Sequence, residues 1–181
     1  YIFIFVFINN FLHYVCVTIR TFWSIHTQNN LRKKQKNNQI MASHTVTTVW
    51  KENMQFETDN PSGHKVLIDT SEENGGNNSG LGPKAMMLSS LAGCSGLDVV
   101  SLLKKMRTSI ADFKMEVTGE LTEEHPKYYD KVSVDYHFYG DNLDEDKINK
   151  AVNLSVEKYC GVMEMFRKFA EVKTATHFHN Q

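Results

Sequence analysis

The sequence predicts a short α+β domain preceded by an atypical leader. Three observations predict this class: two groups of short β-rich segments, a long apolar helix between them, and a further helical region before the last strand. A length of 181 residues with 41% hydrophobic residues is sufficient for one buried core. We therefore expect a single domain over residues 41–181.

The leader, residues 1–40, does not share the pattern of this domain. An apolar stretch over residues 1–19 is interrupted by polar side chains, and a polar tract of low complexity follows over residues 28–39. Met41 has the features of a natural start. We interpret the leader as disordered or not part of the natural protein, with a membrane anchor or the tail of a targeting segment as alternatives. Cys16 lies in the leader, where we expect no role for it.

The first group of β segments follows Met41. Residues 44–51 and 54–58 are rich in β-branched and aromatic side chains, and residues 64–69 follow an Asn-Pro-Ser-Gly turn signal. Three short antiparallel strands are therefore expected. The Gly- and Asn-rich stretch over residues 72–80 predicts a flexible loop that could border a site.

A helix is predicted from Pro83 to Met106. Proline is favoured at the first helical position, and the run that follows is mostly apolar. A helix of this composition is expected to be buried nearly all round, in the centre of a domain or at a subunit interface.

The sequence of the second half of the domain predicts two strands, two helical segments and an edge strand. Residues 111–121 and 127–139 form the two strands, which a hairpin would join, and apolar side chains alternate along the second one. Asn142 and Glu145 resemble a capping box for a helix through Val152. A second helical segment over residues 155–169 and an edge strand over residues 172–178 complete the prediction.

Charge gives little indication of a macromolecular partner. The formal net charge is −1, and the only basic cluster lies in the leader. We expect neither nucleic-acid binding nor, for residues 41–181, membrane association.

Two cysteines in separate predicted helices are the main candidates for chemistry. Small residues flank both: Gly93 and Ser95 beside Cys94, and Gly161 beside Cys160. A reactive thiol needs this kind of close approach, and a second thiol allows a sulfenic acid to be recycled as a disulfide. Free cysteine is also among the most buried residue types, so two structural cysteines are the alternative.

A metal site is the weaker hypothesis. His177 and His179 alternate on a predicted strand and, with His64 or His137, could supply a ligand set. Neither a Cys-x-x-Cys nor a His-Glu-x-x-His motif is present, so we expect no bound metal. No motif for an organic cofactor is present either.

The segments around both cysteines resemble the OsmC/Ohr family of thiol-dependent peroxidases, particularly its YhfA-like branch. The resemblance extends from about Met41 to the C-terminus. Its most specific stretches are Ser-Gly-His-Lys-Val-Leu-Ile-Asp over residues 62–69, Cys-Ser-Gly-Leu-Asp-Val-Val over residues 94–100, and Leu-Ser-Val-Glu-Lys-Tyr-Cys over residues 154–160.

This resemblance implies an OsmC-like fold, in which a central helix packs between antiparallel sheets. We also expect an intertwined homodimer and a cytoplasmic location. It further implies that Cys94 reduces an organic hydroperoxide and that Cys160 resolves the sulfenic acid as a disulfide. An external dithiol would then reduce that disulfide. No cofactor is implied.

One departure from the family pattern concerns the stabilisation of the thiolate. In characterised peroxidatic members, an arginine from an N-terminal strand and a glutamate two residues after the helix-start proline perform this role. Here Ala85 occupies the glutamate position, and no arginine occurs between Met41 and Arg107. The remaining candidate cations are His64, Lys65, Lys84 and Arg107. A binding or thiol-handling module of the same fold, with weak or no peroxidase activity, is therefore the alternative function.

Overall fold

The computed structural model describes residues 43–180. Within them the chain forms six strands and three α-helices around one hydrophobic core. The predictions for the leader and for Cys16 lie outside the described residues. In chain order the elements are β1 (Thr48–Glu52), β2 (Gln55–Asp59), β3 (Lys65–Ile68), α1 (Pro83–Met106), β4 (Asp112–Leu121), β5 (Tyr129–Tyr139), α2 (Glu145–Leu154), α3 (Gly161–Phe166) and β6 (Glu171–His179).

The first sheet is the predicted antiparallel meander, in the order β1-β2-β3. Phe56 in its central strand pairs with Trp50 on one side and with Ile68 on the other. No residue of these three strands is buried, and Trp50 is 62% exposed. The sheet therefore contributes nothing to the buried core of this chain.

The loop after β3 is more ordered than its composition predicts. Asp69, which is 2% exposed, accepts hydrogen bonds from the backbone N–H groups of Thr70, Asn77 and Ser79 and from the Ser79 hydroxyl. A short 3₁₀ turn over Glu72–Asn74 follows. The Asp69 carboxylate thus adds to the backbone hydrogen bonds of this loop and satisfies three of its N–H groups.

Helix α1 has the predicted bounds, beginning at Pro83 and ending at Met106. The expectation of burial nearly all round is not met within one chain. Only the stripe formed by Leu91, Ser95, Val99 and Leu103 is buried. Helix α1 is long and apolar enough to span a bilayer, but its packing on β4 and α2 identifies it as the core helix of a globular domain.

The second sheet has the order β4-β5-β6. The predicted β4–β5 hairpin is confirmed, and the predicted inward side chains of β5 are buried: Val132, Val134, Tyr136 and Phe138. The edge position of β6 is also confirmed. Its direction corrects the expectation of antiparallel sheets, because β6 pairs parallel with β5. The helices between β5 and β6 provide the long crossover that parallel pairing requires.

The helical region between β5 and β6 departs from the prediction at two points. Helix α2 is capped by Asp144, whose side chain accepts the Lys147 N–H, whereas Asn142 adopts a left-handed conformation in the preceding turn. The segment predicted to be one helix over residues 155–169 is divided into a π-helical turn, Ser155–Tyr159, and α3. The division falls at Cys160.

Candidate active site

The two cysteines singled out in the sequence lie together. The sulfur atoms of Cys94 and Cys160 and a carboxylate oxygen of Asp98 are all within 4.8 Å of one another. Both cysteines are free thiols. Two sulfurs at this separation can form a disulfide after a local movement of about 3 Å, since the bond length is about 2 Å.

Cys94 lies in the middle of α1, where it borders the buried stripe of the helix. The glycines beside it face different surroundings. A side chain at Gly96 would lie 3.1 Å from the Met115 sulfur, so this glycine lets α1 approach β4 closely, whereas nothing lies within 4 Å of the corresponding position at Gly93. Cys94 is half-buried and packs against the core, so it is less enclosed than a core residue.

Cys160 is positioned by the interruption between the π-helical turn and α3. Its N–H donates to the Ser155 carbonyl over 2.9 Å, which closes the π-helical turn. Its backbone is extended, and its sulfur caps α3 by accepting the Met163 N–H over 3.3 Å. Local π-helical geometry of this kind often occurs at functional sites.

The environment of Cys160 favours its neutral form. The side chain is 4% exposed, and the pKa of its thiol is raised to about 11 in total, mainly by burial. The interaction with Cys94 contributes to this rise in pKa, while the Met163 N–H acts in the opposite direction. Desolvation penalises the charged form, so Cys160 is a thiol at neutral pH.

A buried hydroxyl network connects the segments that carry the two cysteines. The Ser95 hydroxyl lies 2.6 Å from the Tyr136 hydroxyl and 2.9 Å from that of Ser155, and Ser155 also donates to the Ser95 carbonyl. Ser95 follows Cys94 in α1, and Ser155 opens the turn that ends at Cys160. These contacts fix the two cysteine segments relative to each other and to β5.

Asp98 is a site residue that the sequence analysis missed. It follows Cys94 by one helical turn, so both side chains lie on the same face of α1. The i, i+4 spacing of Cys94 and Asp98 was the sequence signal that could have identified Asp98 as a site residue. The carboxylate oxygen Oδ2 is buried and, among the described residues, has no hydrogen-bond partner.

Two of the proposed thiolate-stabilising cations, Lys84 and Arg107, do not lie beside Cys94 within one chain. Lys84 and Arg107 lie at opposite ends of α1, about 15 and 20 Å from Cys94 along the helix axis. His64 is exposed in the turn between β2 and β3, and Lys65 pairs with Glu57 over 2.8 Å.

A cation that the sequence analysis did not consider lies on the Cys160 side of the site. Arg167 and Cys160 both line a cavity of about 300 Å³. The guanidinium forms an ion pair at 2.7 Å with Glu157, which lines the same cavity. Its position two helical turns after Cys160 in sequence was the available signal.

The histidines considered as metal ligands form a separate group on β5 and β6. The His137 ring stacks on those of His177 and His179 and lies 3.1 Å from His179 between ring nitrogens. His177 pairs with Asp135 over 2.8 Å. His64 is not part of this cluster, because it lies in the β2–β3 turn.

Comparison with known proteins shows that the chain is similar to one protein family over a region that includes both cysteine segments. The sequence profile described as OsmC-like protein matches residues 76–175, which include both cysteines. Protein YhfA of Escherichia coli K12 is 34% identical over 123 residues, covering 68% of this chain and 89% of that protein.

Solved structures share the same architecture. A hypothetical protein from Aquifex aeolicus VF5 superposes with a TM-score of 0.68 at 29% identity, covering 78% of this chain and 99% of its own. An organic hydroperoxide resistance protein OsmC from Legionella pneumophila superposes with a TM-score of 0.59 at 16% identity, covering 77% and 99% of the two chains.

Proposed function

Because the chain belongs to the OsmC family, we propose that it is a cysteine-based peroxidase that reduces organic hydroperoxides in oxidative-stress defence. The observation that carries the proposal is the approach of the Cys94 and Cys160 sulfurs to within 4.8 Å. The name of the Legionella pneumophila relative, an organic hydroperoxide resistance protein, supports the substrate class.

In the proposed reaction the Cys94 thiolate attacks one peroxide oxygen. An S–O bond forms, the O–O bond breaks, and the leaving alkoxide takes a proton to become the alcohol. The Cys160 thiol then attacks the sulfenic sulfur of Cys94. An S–S bond forms, and the S–O bond breaks with loss of water. An external dithiol reduces this disulfide by two exchange steps and is itself oxidised.

The surroundings of the two sulfurs support this assignment of roles. Cys94 is half-buried, whereas Cys160 is 4% exposed, so a hydroperoxide has the freer approach to Cys94. The raised pKa of the Cys160 thiol agrees with a residue that reacts second. Cys160 itself adopts an extended backbone conformation between two helical segments, so it is not held inside either helix.

The proposal includes a homodimer. The first sheet has no buried residue, and Leu97, in the middle of α1, is 76% exposed. An apolar side chain so exposed in the middle of a core helix is expected to be covered by another protein surface. A second copy of the chain would supply it and would enclose the accessible side of Cys94.

A thiol-containing binding module with weak or no peroxidase activity is the second candidate. The observation that favours it is the placement of Lys84 and Arg107 at the ends of α1, together with Ala85 at the position of the family glutamate. The arginine and glutamate that accompany the reactive cysteine in the family pattern are therefore both missing from these positions.

A thiol titration distinguishes the two candidates. The reduced chain carrying Cys16→Ser has two thiols, Cys94 and Cys160, which are counted before and after one equivalent of cumene hydroperoxide. Rapid loss of both thiols supports the peroxidase, and slow loss supports the binding module. No loss of thiols would contradict the peroxidase and leave either a binding module without peroxidase activity or two structural cysteines.

A further inference from the structure

We propose that reduced Cys94, Asp98 and Cys160 form a binding site for one thiophilic divalent ion, with Zn²⁺ as the best chemical match. The inference goes beyond the peroxidase function and does not depend on it. The observation behind it is the convergence of two sulfurs and one carboxylate oxygen within 4.8 Å of one another.

The geometry requires only a small contraction. With Zn–S bonds of about 2.3 Å and a Zn–O bond of about 2.1 Å, the ligand atoms of a tetrahedral site lie about 3.5 to 3.8 Å apart. Cys94 and Asp98 share one face of α1, and Cys160 faces them from the N-terminus of α3. Side-chain rotations that move each atom by about 1 Å would complete the site.

The Asp98 carboxylate supplies the independent evidence for a ligand. Its Oδ2 atom is buried and has no hydrogen-bond partner among residues 43–180, and Asp98 forms no ion pair with them. A buried carboxylate oxygen without a partner is costly, because it has lost its hydration without compensation. A cation between Asp98 and the two sulfurs would compensate it, whereas a Cys94–Cys160 disulfide would not.

The donor set indicates the class of metal. Metal binding would displace the protons of both thiols into solvent, and the resulting two thiolates favour Zn²⁺ and similar soft ions over Mg²⁺ and Ca²⁺, which prefer oxygen ligands. Three protein ligands leave a fourth coordination position open, as in catalytic rather than structural zinc sites. Cys160 lines the cavity of about 300 Å³, so this side of the site has room for a water molecule or a small ligand.

The site has a consequence for the redox chemistry, because the same two sulfurs cannot hold a metal and form a disulfide. Bound metal would protect both thiols from a hydroperoxide, and oxidation would release the metal. The sequence alone did not predict this site, because its three donors come from two separate helices and match no short zinc motif.

The test is a Co²⁺ titration of the full chain carrying Cys16→Ser, reduced and freed of metal with a chelator under anaerobic conditions. We expect one Co²⁺ per chain, with a sulfur-to-cobalt charge-transfer band and the visible bands of tetrahedral coordination. Competition with a chromophoric chelator then gives the Zn²⁺ affinity. The same chain with both thiols blocked by N-ethylmaleimide should bind no Co²⁺.

Two variants assign the carboxylate ligand. Asp98→Asn should weaken Zn²⁺ binding by about tenfold or more, the usual range for a lost metal-site partner. Glu164→Gln is the matched control and should bind Zn²⁺ like the parent, because Glu164 is exposed and pairs with Lys168. Circular dichroism establishes whether each variant is folded. If Asp98→Asn fails to fold, Asp98→Glu replaces it and should retain the cobalt bands with shifted energies.

Absence of the charge-transfer band, or Zn²⁺ affinity unchanged by Asp98→Asn, would overturn the proposed site. Hydroperoxide consumption is measured separately in metal-free buffer with a dithiol reductant. A chain that consumes hydroperoxide but binds no Co²⁺ contradicts the metal site alone, whereas one that binds Co²⁺ without consuming hydroperoxide contradicts the peroxidase alone.

Discussion

The hydroxyl groups of Ser95 and Ser155 lie 2.9 Å apart in the core, each in a segment that carries one of the two cysteines. Ser95 follows Cys94 directly, and the Ser155 carbonyl accepts the Cys160 N–H. The separation of the two sulfurs therefore depends on a contact between two serines that take no part in sulfur chemistry.

Replacing Ser155 by alanine should lower both stability and the rate of disulfide formation. The change removes its bond to the Ser95 hydroxyl and its donation to the Ser95 carbonyl. Loss of buried hydrogen bonds of this kind costs about 1–3 kcal/mol in the free energy of unfolding, which urea denaturation measures. Ser90→Ala is the control, because Ser90 is exposed on α1, the helix that carries Ser95. Equal effects of the two substitutions would contradict the positioning role of Ser155.

The bounds of α1 could be predicted from the sequence because local signals determine them. Pro83 is suited to the first helical turn, and the apolar run that follows ends with Met106. The break at Cys160 could not be predicted in this way. The sequence of residues 155–169 predicts one continuous helix, whereas the observed π-helical turn begins at Ser155, which contacts the distant Ser95.

The same distinction applies to the candidate site. The cysteines could be identified from their sequence surroundings, and the i, i+4 spacing of Cys94 and Asp98 was open to inspection. The approach of Asp98 to Cys160 is a tertiary contact between two helices, which no local pattern encodes. The partial exposure of α1 was missed for a related reason, since composition does not reveal which apolar surface one chain can cover.

Asp69 should make stability sensitive to acid. Hydrogen bonds from the Ser79 side chain, and then from backbone N–H groups, lower the pKa of Asp69 from 3.8 to about 2 in the folded chain. Because the folded pKa is the lower one, this carboxylate stabilises the fold above about pH 4. That contribution is lost as the pH falls from about 4 towards 2.

Replacing Asp69 by asparagine should therefore lower the melting temperature at pH 7 and flatten its decline between pH 4 and 2. Thermal melts across this range measure both effects. Asp141→Asn, in the exposed turn before α2, is the control and should leave the acid profile unchanged. An acid profile of Asp69→Asn parallel to that of the parent would contradict the assignment.

A chain that begins at Met41 should fold as well as the full chain. The leader consists of an interrupted apolar stretch and a polar tract, neither of which matches the periodicity of the domain. We expect the shortened chain to be soluble, with a melting temperature within a few degrees of the full chain. A large decrease in melting temperature would show that residues 1–40 contribute to the folded state.

The domain should be a dimer in which α1 is covered by a second copy. Leu97 is 76% exposed in one chain, and burying a leucine contributes about 1.5–3 kcal/mol per copy. Leu97→Lys should therefore raise the dimer dissociation constant by about a hundredfold or more. Sedimentation equilibrium at micromolar concentration measures this change, with Glu123→Lys in the exposed β4–β5 turn as a control for added positive charge. A stable monomeric parent chain would contradict the prediction.

Substitution of each cysteine should give different kinetic results if Cys94 reacts with the hydroperoxide and Cys160 resolves the product. Cys94→Ser should reduce hydroperoxide consumption to the uncatalysed rate, because a serine hydroxyl is a far weaker nucleophile at neutral pH. Cys160→Ser should complete one fast turnover. It should then stop, provided that the dithiol in the assay cannot reach the sulfenic acid. Stopped-flow measurement of hydroperoxide consumption distinguishes the two variants.

The chemical state of Cys94 after that turnover decides between the peroxidase and a pair of structural cysteines. In Cys160→Ser, the sulfenic acid has no neighbouring thiol, so a dimedone probe should label Cys94 and excess hydroperoxide should oxidise it to the sulfinic acid. Peptide mass spectrometry identifies both products, and the Cys16→Ser background excludes the leader thiol. Two structural cysteines would instead give similar losses of stability, no labelling and no difference in kinetics, because neither sulfur would react ahead of the other.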